Sequence, residues 1–356
     1  MNLTELFTPA AIAANWQETA SNRIPYMGEA FFPSAKKAGL DLRWIKGSRG
    51  LPVSLMPSAF DAKATFRDRP GMTITETEMP FFREGFKVKE RDRQELLRVR
   101  ESNDPYLNEI LSNLFRDSED LIDAAEVVKE RERFQLLFSA NGNIGITIKA
   151  NGVDYTYNYD PNGDWKATNY MPLSGTAVWT APTTADPMKN FKDAKDIIAS
   201  KTGSTPAIAL MNTTTFNLMA ATDAVKNRYL TTVGRAVGYL SDAEVERVIA
   251  DVTGLTPVVY DKQYRDESKV AAKFVPDNYV AILPNGAVGQ TWHGTTPEEA
   301  DLYGNGASKA QVAIVNTGVA ITQILDEHPV NLNTFASEIV LPSFEGMDDF
   351  VLIKVA

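Results

Sequence analysis

The sequence predicts an α+β fold in which a long helix and a strand-rich tail accompany a separate α/β region. Three observations lead to this prediction. Residues 105–138 carry apolar residues at three- and four-residue steps, residues 39–85 are interrupted by glycine and proline, and residues 186–260 alternate helical and strand patterns. The chain has 356 residues, which is enough for two or three domain-sized units.

Composition narrows the functional classes before any motif is considered. The formal net charge of −10 argues against nucleic-acid binding over the whole length, because phosphate neutralisation needs an excess of Lys and Arg. The absence of cysteine excludes disulfides, thiolate metal sites and a cysteine nucleophile. No stretch approaches the roughly 18 consecutive apolar residues of a membrane helix, and the N-terminus lacks the features of a secretory signal. We therefore expect a cytosolic protein that does not bind membranes.

The first 38 residues predict an N-terminal arm. A short capped turn leads into residues 21–33, which follow neither a helical nor a strand period. Aromatic residues recur along this segment, and their side chains need a surface on which to lie. Trp16, Phe31 and Phe32 are the clearest candidates for such contacts.

Residues 39–85 predict an extended loop. Glycine and proline break any helical period, while strand-like pieces at 51–56 and 72–81 indicate a long hairpin. A loop of this length without a core of its own is generally functional when it is ordered. Basic residues are also concentrated in this first quarter of the chain.

The clearest helix follows at residues 105–138. Asp104 and Pro105 suit the N-cap and the first helical position, and Asn141 with Gly142 ends the pattern. A helix of about 30 residues spans on the order of 45 Å, which is long for a globular protein. Its apolar stripe consists of Leu107, Leu111, Leu114, Leu121, Ala125 and Val128.

The remaining chain predicts a hairpin, a second domain and a tail. Residues 144–159 are two alternating strands around an Asn-Gly turn. Residues 186–310 form the second, α/β domain, in which residues 213–230 read as one helix. The strand-rich tail, 311–356, is predicted to return to the hairpin beside the long helix. The first domain would then be discontinuous.

Catalytic constellations are sparse. His293 and His328 lie at metal-ligand spacing from no other His or Cys, and the phosphate-loop and nucleophile-turn motifs are missing. The acidic run at 117–120 is interpreted as the solvated face of the long helix, and residues 303–308 as a surface loop. The mixed charges of residues 87–104 favour a salt-bridged surface or subunit contact. We therefore predict no catalytic residue, no metal and no cofactor, in a protein that is not an enzyme.

The apolar arm and loop instead indicate assembly. Exposed apolar segments of this kind must be covered, and a chain that cannot cover them itself is covered by its neighbours. The order of the parts, and in particular "GLDLRWIKGSRGLPVSLMPSAFDAKATFRDRPGMTITETEMPFFREG" at residues 39–85, resembles the lambda-type major capsid protein family of tailed bacteriophages, the E family. The resemblance covers essentially the whole chain, and residues 39–95 are its most specific part.

The resemblance implies the Hong Kong 97-type phage capsid fold. Its expected parts are an N-terminal arm at 1–38, an extended loop at 39–85, a peripheral domain with a long spine helix and a β hinge at 86–185 plus 311–356, and an axial α/β domain at 186–310. The loop would then lie on the adjacent subunit, and its arginines would form intersubunit ion pairs. The candidate intersubunit residues are Trp16, Phe31, Phe32, Arg43, Trp44, Arg49, Phe60, Arg67, Arg69, Phe81, Phe82 and Arg83.

The resemblance also implies the function. The chain would be a major capsid protein that self-assembles into hexamers and pentamers, forming the icosahedral head shell of a virion around double-stranded DNA. Assembly would take place in the cytoplasm of a host bacterium. The implied partners are copies of the chain, a portal, packaged DNA without sequence specificity and, because the arm begins almost at Met1, a separate scaffolding protein. A decoration protein is left open, and covalent cross-links through Lys46 or Lys63 are not predicted.

Two alternatives remain at this level. The first keeps the fold and makes the chain the shell subunit of an encapsulin-like nanocompartment that encloses enzymes. The second is a carbohydrate-active protein or lectin, suggested by the aromatic residues at 164–179 and by His293.

Overall fold

The computed structural model describes residues 7–20, 26–46, 73–88, 94, 106–150, 153–233, 240–266, 268–303, 311–327 and 330–356. The helices are α1 (Pro9–Ala20), α2 (Gly28–Phe31), α3 (Tyr106–Leu137), α4 (Asp164–Asn169), α5 (Pro187–Thr202), α6 (Thr213–Ala221), α7 (Asp223–Val233), α8 (Asp242–Thr253) and α9 (Pro297–Tyr303). The strands in the first half are β1 (Ser34–Lys36), β2 (Asp41–Lys46), β3 (Thr73–Glu78), β4 (Phe81–Val88), β5 (Gly145–Ala150), β6 (Val153–Asn158) and β7 (Tyr170–Pro172). Those in the second half are β8 (Ile208–Met211), β9 (Thr256–Val259), β10 (Gln263–Arg265), β11 (Ala271–Lys273), β12 (Tyr279–Leu283), β13 (Gln290–His293), β14 (Gln311–Val315), β15 (Val319–Glu327), β16 (Val330–Ser343) and β17 (Val351–Lys354).

A six-stranded sheet is built around β16. This strand pairs antiparallel with β15 along its first half, with β4 from Leu332 to Ile339, and with β13 from Val340 to Ser343. The strands β14 and β1 complete the sheet, and β1 runs parallel to β13. Helix α3 packs against β16, so the long helix and the longest strand form one unit.

A second sheet has the order β7-β17-β12-β8-β9 and is packed against α5, α6 and α8. Helix α5 begins as the sequence predicts: Pro187 follows the N-cap Asp186, whose side chain accepts a hydrogen bond from the Lys189 backbone at 3.1 Å. Its C-cap is Gly203 with φ of 73°, a left-handed conformation that glycine adopts without strain. Apolar residues of this sheet and of these helices form the core of this unit.

The predicted domain boundaries differ from these sheets in two places. The end of the tail does not return to the first domain, because β17 pairs with β12 and β7 in the α/β sheet. Conversely β13 lies within the predicted axial segment but pairs with β1 and β16. Strand pairing over such distances in the chain leaves no local pattern. The helix predicted at 213–230 is also two helices, broken at Thr222, whose ψ of 142° is extended.

The long helix and the following hairpin are confirmed. Helix α3 covers residues 106–137, and β5 pairs with β6 from Gly145 opposite Asn158 to Ala150 opposite Val153. The short capped turn predicted at the start of the arm is longer than expected and is a helix over residues 9–20. This part is α1, whose first turn is capped by the Thr8 hydroxyl at 3.2 Å from the Ala11 backbone nitrogen. Of the helices described, none is long and apolar enough to cross a bilayer.

Candidate intersubunit surface at the base of the extended loop

The two legs of the extended loop form a ladder of their own. Strands β2 and β3 pair antiparallel over six residues, from Asp41 opposite Glu78 to Lys46 opposite Thr73, which is roughly 20 Å of paired backbone. Among the described strands, this two-stranded sheet pairs with no other. Its base is fixed to the body, since Leu42 is buried in the main core and the Tyr157 hydroxyl donates to the Glu78 carbonyl at 2.9 Å.

Two ion pairs hold the chain on either side of this ladder. Lys36, just before it, pairs with Glu299, and Arg83, just after it, pairs with Glu298. Both carboxylates stand in the first turn of α9, where the helix dipole stabilises negative charge. The Ser337 hydroxyl also donates a hydrogen bond to Glu298 at 3.0 Å. We call the Lys36–Glu299 and Arg83–Glu298 pairs the loop clamp.

Arg83 is therefore paired inside its own chain. Besides Glu298, its guanidinium carbon lies 5.8 Å from the ring centroid of Phe81 and 5.6 Å from that of Phe335. The Arg83–Glu298 pair lies within one chain, and the ion pair of Arg83 across a subunit boundary stays a prediction. Glu298 is 215 residues away in the chain, a distance over which sequence gives no pairing signal.

An open groove of about 360 Å³ lies beside the clamp, between α3 and β4. Phe81 and Phe82 line one side, and the half-buried residues Leu121, Ala125 and Val128 line the other. These three belong to the apolar stripe that predicted α3. This part of the stripe thus lies on an open face of the helix, where it leaves apolar surface available to a partner.

The aromatic residues of the arm cover their own chain. Trp16 is buried and its indole nitrogen donates to Asp123 on α3 at 3.0 Å. Phe31 and Phe32 are buried in the main core, where the Phe32 ring stands 5.3 Å from that of Phe344. The prediction that these three side chains need a neighbouring subunit to lie on is corrected accordingly.

The other predicted contact residues divide into two groups. Arg43 is an exposed residue of β2, and Trp44 follows it in the same strand. Four candidates lie outside the described residues: Arg49, Phe60, Arg67 and Arg69.

The sequence reasoning missed a layer of buried charge on α3. Lys129, Glu130, Glu132 and Arg133 are at most 2% exposed, although charged residues in succession ordinarily indicate a solvated face. Hydrogen bonds compensate for the burial of Glu130. Its carboxylate accepts from the Gly28 backbone at 3.0 and 3.1 Å and from the Tyr260 hydroxyl at 2.7 Å. Burial raises the pKa of Glu130, and these hydrogen bonds oppose the rise.

Gly28 is the residue that lets the arm approach α3 so closely. A Cβ at this position would lie 2.4 Å from Oε2 of Glu130 and 2.9 Å from Cδ of Arg133. Arg133 in turn donates from Nε to the Thr291 hydroxyl at 2.8 Å and from Nη2 to the Ser34 hydroxyl at 3.2 Å. The buried charges therefore connect α2, β1 and β13 to the long helix.

His293 has a structural position on β13. It is buried, and neither ring nitrogen has a hydrogen-bond partner among the described residues. Burial, together with the cationic neighbours Lys129 and Arg133, lowers the pKa of His293 to about 3. The imidazole is thus uncharged at neutral pH. His328 lies outside the described residues.

The structure offers little to the carbohydrate hypothesis. Trp165 and Trp179 are each 1% exposed, so neither indole presents a face on which a sugar could stack. The Trp165 ring instead stacks on Phe350 with centroids 5.2 Å apart. Within the described ranges, no three His, Asp or Glu side chains stand together as metal ligands.

The family model described as phage major capsid protein E matches residues 8–355. The chain therefore belongs to the phage major capsid protein E family, and it is a shell-forming capsid protein. No curated protein sequence matches it.

Solved structures show the same fold. A proposed capsid protein of an E. coli CFT073 prophage is 14% identical, with 100% of this chain and 99% of that chain covered at a TM-score of 0.60. A phage-related protein from Bordetella bronchiseptica is also 14% identical, with 96% of this chain and 97% of that chain covered at a TM-score of 0.56. The Hong Kong 97-type capsid fold expected from the sequence is confirmed.

Proposed function

We propose that this capsid protein forms the hexamers and pentamers of a closed icosahedral head around double-stranded phage DNA. The observation that carries the proposal is the β2–β3 ladder, which is anchored at its base and pairs with no other described strand. A two-stranded ladder is marginally stable in water without a surface against it. A neighbouring subunit supplies that surface in the proposed ring.

The groove between α3 and β4 is the proposed receiving surface. It is lined by apolar side chains, and Phe81 and Phe82 continue it directly to the loop base of the same chain. In a ring of identical subunits, each chain then offers one ladder and one groove, which makes a heterologous contact that closes by rotation. Arg43, an exposed residue of the ladder, is one of the proposed contact residues.

The other proposed partners follow from the role. A shell confines DNA without reading its sequence, and the acidic balance of the chain agrees with a lining that does not grip phosphates. We further propose a separate scaffolding protein and a portal, assembly in the cytoplasm of the bacterial host, and a subunit without catalytic activity. A decoration protein on the outer surface is left open.

The test is the assembly state of the purified chain. Wild-type protein, expressed alone and with its neighbouring genes, is followed by electron microscopy and light scattering. A variant in which a short Gly-Ser linker replaces residues 47–72 keeps both legs of the ladder, and circular dichroism checks that it folds. Lys189→Ala, which removes an exposed ion pair on α5, is the matched control.

We expect shells, or hexamers that become shells with a scaffold, from the wild type and the control, and soluble unassembled chain from the loop variant. Normal shells from the loop variant would refute the role of the loop. A wild-type chain that stays monomeric in every condition would refute the proposed function.

A further inference from the structure

Two carboxyl groups are buried where the long helix crosses the central strand. Glu132 on α3 is 0% exposed and Glu338 on β16 is 1% exposed. All four of their carboxyl oxygens lack a hydrogen-bond partner among the described residues. Burying a polar group without a partner is costly, and burying an unpaired charge costs far more.

The cations near Glu132 are engaged elsewhere. Arg133 bonds Thr291 and Ser34 and stands 3.7 Å from the Glu130 carboxylate. The Arg131 guanidinium lies over the Tyr264 ring, with 5.6 Å between its central carbon and the ring centroid. The tyrosines that approach Glu132 from the β5–β6 side are Tyr157 and Tyr159, and the Tyr159 hydroxyl donates to the Pro342 carbonyl at 2.5 Å. None of these groups neutralises Glu132.

The surroundings of Glu338 are similar. From α3, Lys129 faces it, but the Lys129 ammonium is bound to Glu126 at 2.5 Å. From β4, the residue opposite Glu338 is Phe82; the charged residues of that strand nearest to it are Arg83, paired in the loop clamp, and the exposed Glu84. From β13, His293 is held uncharged.

Burial consequently raises the pKa values of both carboxyls and favours their protonated forms in this arrangement. Burial raises the pKa of Glu338 to about 8. Burial and then the charge of Glu338 raise the pKa of Glu132 well above its ordinary value. The charges of Arg131 and Arg133 lower the pKa of Glu132, and those of Lys129 and Arg133 lower that of Glu338, but the effect of burial is larger in both cases.

We propose that Glu132 and Glu338 form a proton-operated latch between α3 and β16, closed while both carboxyls carry their protons and released when they ionise. The latch lies on the two elements that shape the groove, and Glu338 itself lines it. Glu338 also directly follows Ser337, whose hydroxyl donates a hydrogen bond to Glu298 of the loop clamp. Release therefore changes both the groove and the support of the extended loop.

The direction of the pH dependence follows from the raised pKa values. An exposed Glu ionises near its ordinary value of about 4.5, whereas Glu338 in the closed latch ionises near about 8. The closed arrangement is fully stabilised below the first value and loses stability as the pH rises toward the second. The raised pKa of Glu132 acts in the same direction.

The test compares the unassembled full-length chain with its Glu132→Gln/Glu338→Gln variant at about pH 6 and about pH 9. Glutamine keeps the shape of the protonated acid and cannot ionise. The matched control is Glu84→Gln, a carboxylate on β4 that is exposed. Hydrogen exchange of peptides from α3 and β16, corrected for the intrinsic effect of pH, reports opening of the latch, and thermal melting reports stability. Glu338→Met replaces the double variant if the buried amides prevent folding.

We expect wild type and control to lose protection in α3 and β16 by about tenfold or more between the two pH values, and the latch variant to lose much less. The melting temperature should fall as the pH rises in the wild type and the control, but not in the latch variant. An equal loss of protection in all three proteins would overturn the proposal. So would a difference in stability between wild type and latch variant that is the same at both pH values. This outcome is independent of shell formation, since every measurement uses the single chain.

Discussion

The substitution Gly28→Ala tests how the arm is attached to the long helix. The new Cβ would stand 2.4 Å from a carboxylate oxygen of Glu130, well inside van der Waals contact. Glu130 must then move, and it loses its hydrogen bonds from the Gly28 backbone and from the Tyr260 hydroxyl. Two buried hydrogen bonds to a carboxylate are each worth roughly 1.5–3 kcal/mol, so the expected loss of stability is about 3 kcal/mol or more.

A double-mutant cycle separates this contact from other effects of the added methyl group. Urea denaturation of the unassembled chain, followed by far-UV circular dichroism, gives the free energy of unfolding for wild type, Gly28→Ala, Glu130→Ala and the double variant. Glu29→Ala, at an exposed neighbour on α2, is the control. Removing the Glu130 side chain removes the nearer obstruction and leaves Cδ of Arg133 at 2.9 Å, so Gly28→Ala should cost less in that background. An equal cost in both backgrounds would refute the contact.

Two further predictions concern the loop clamp and His293. The variant Glu298→Gln/Glu299→Gln should lose less than about 1 kcal/mol for each pair, because the Arg83 and Lys36 side chains are 46% and 37% exposed. It should nevertheless give fewer shells in sedimentation than Asp193→Asn, which breaks an exposed pair; equal yields would contradict the role of the clamp. The wild-type chain should lose stability as the pH falls from about 6.5 toward about 3, because the pKa of His293 is lowered by burial. His293→Gln should remove that part of the acid dependence in thermal melting, and an unchanged profile would assign it to other groups.

The spine helix shows what local sequence patterns reveal and what they do not. The apolar period predicted α3 within a residue at each end. The same period suggested which face is buried, and there the interpretation was incomplete. Leu121, Ala125 and Val128 line an open groove, whereas the charged Glu132 and Arg133 are enclosed. The apolar period depends only on where apolar residues stand. It does not reveal which ionisable side chains are buried because they have hydrogen-bond partners or carry a neutralising proton.

The arm and the loop base depended on contacts distant in the chain. Helix α1 was predicted only as a turn, because its stability comes largely from packing on α3, including the bond from Trp16 to Asp123. The basic character of the loop region was evident, yet the carboxylates of the loop clamp are on α9, far along the chain. Residue types in the candidate surface were thus predictable, and their pairing was not.

The pairing of β4 with β16 has a consequence for the time at which the subunit becomes complete. Phe81 to Val88 are synthesised long before their partners Leu332 to Ile339. The ladder can close only after both segments have left the ribosome, and non-local strands of this kind form slowly. A chain that stops before Leu332 lacks the strand with which β4 pairs beside the loop base.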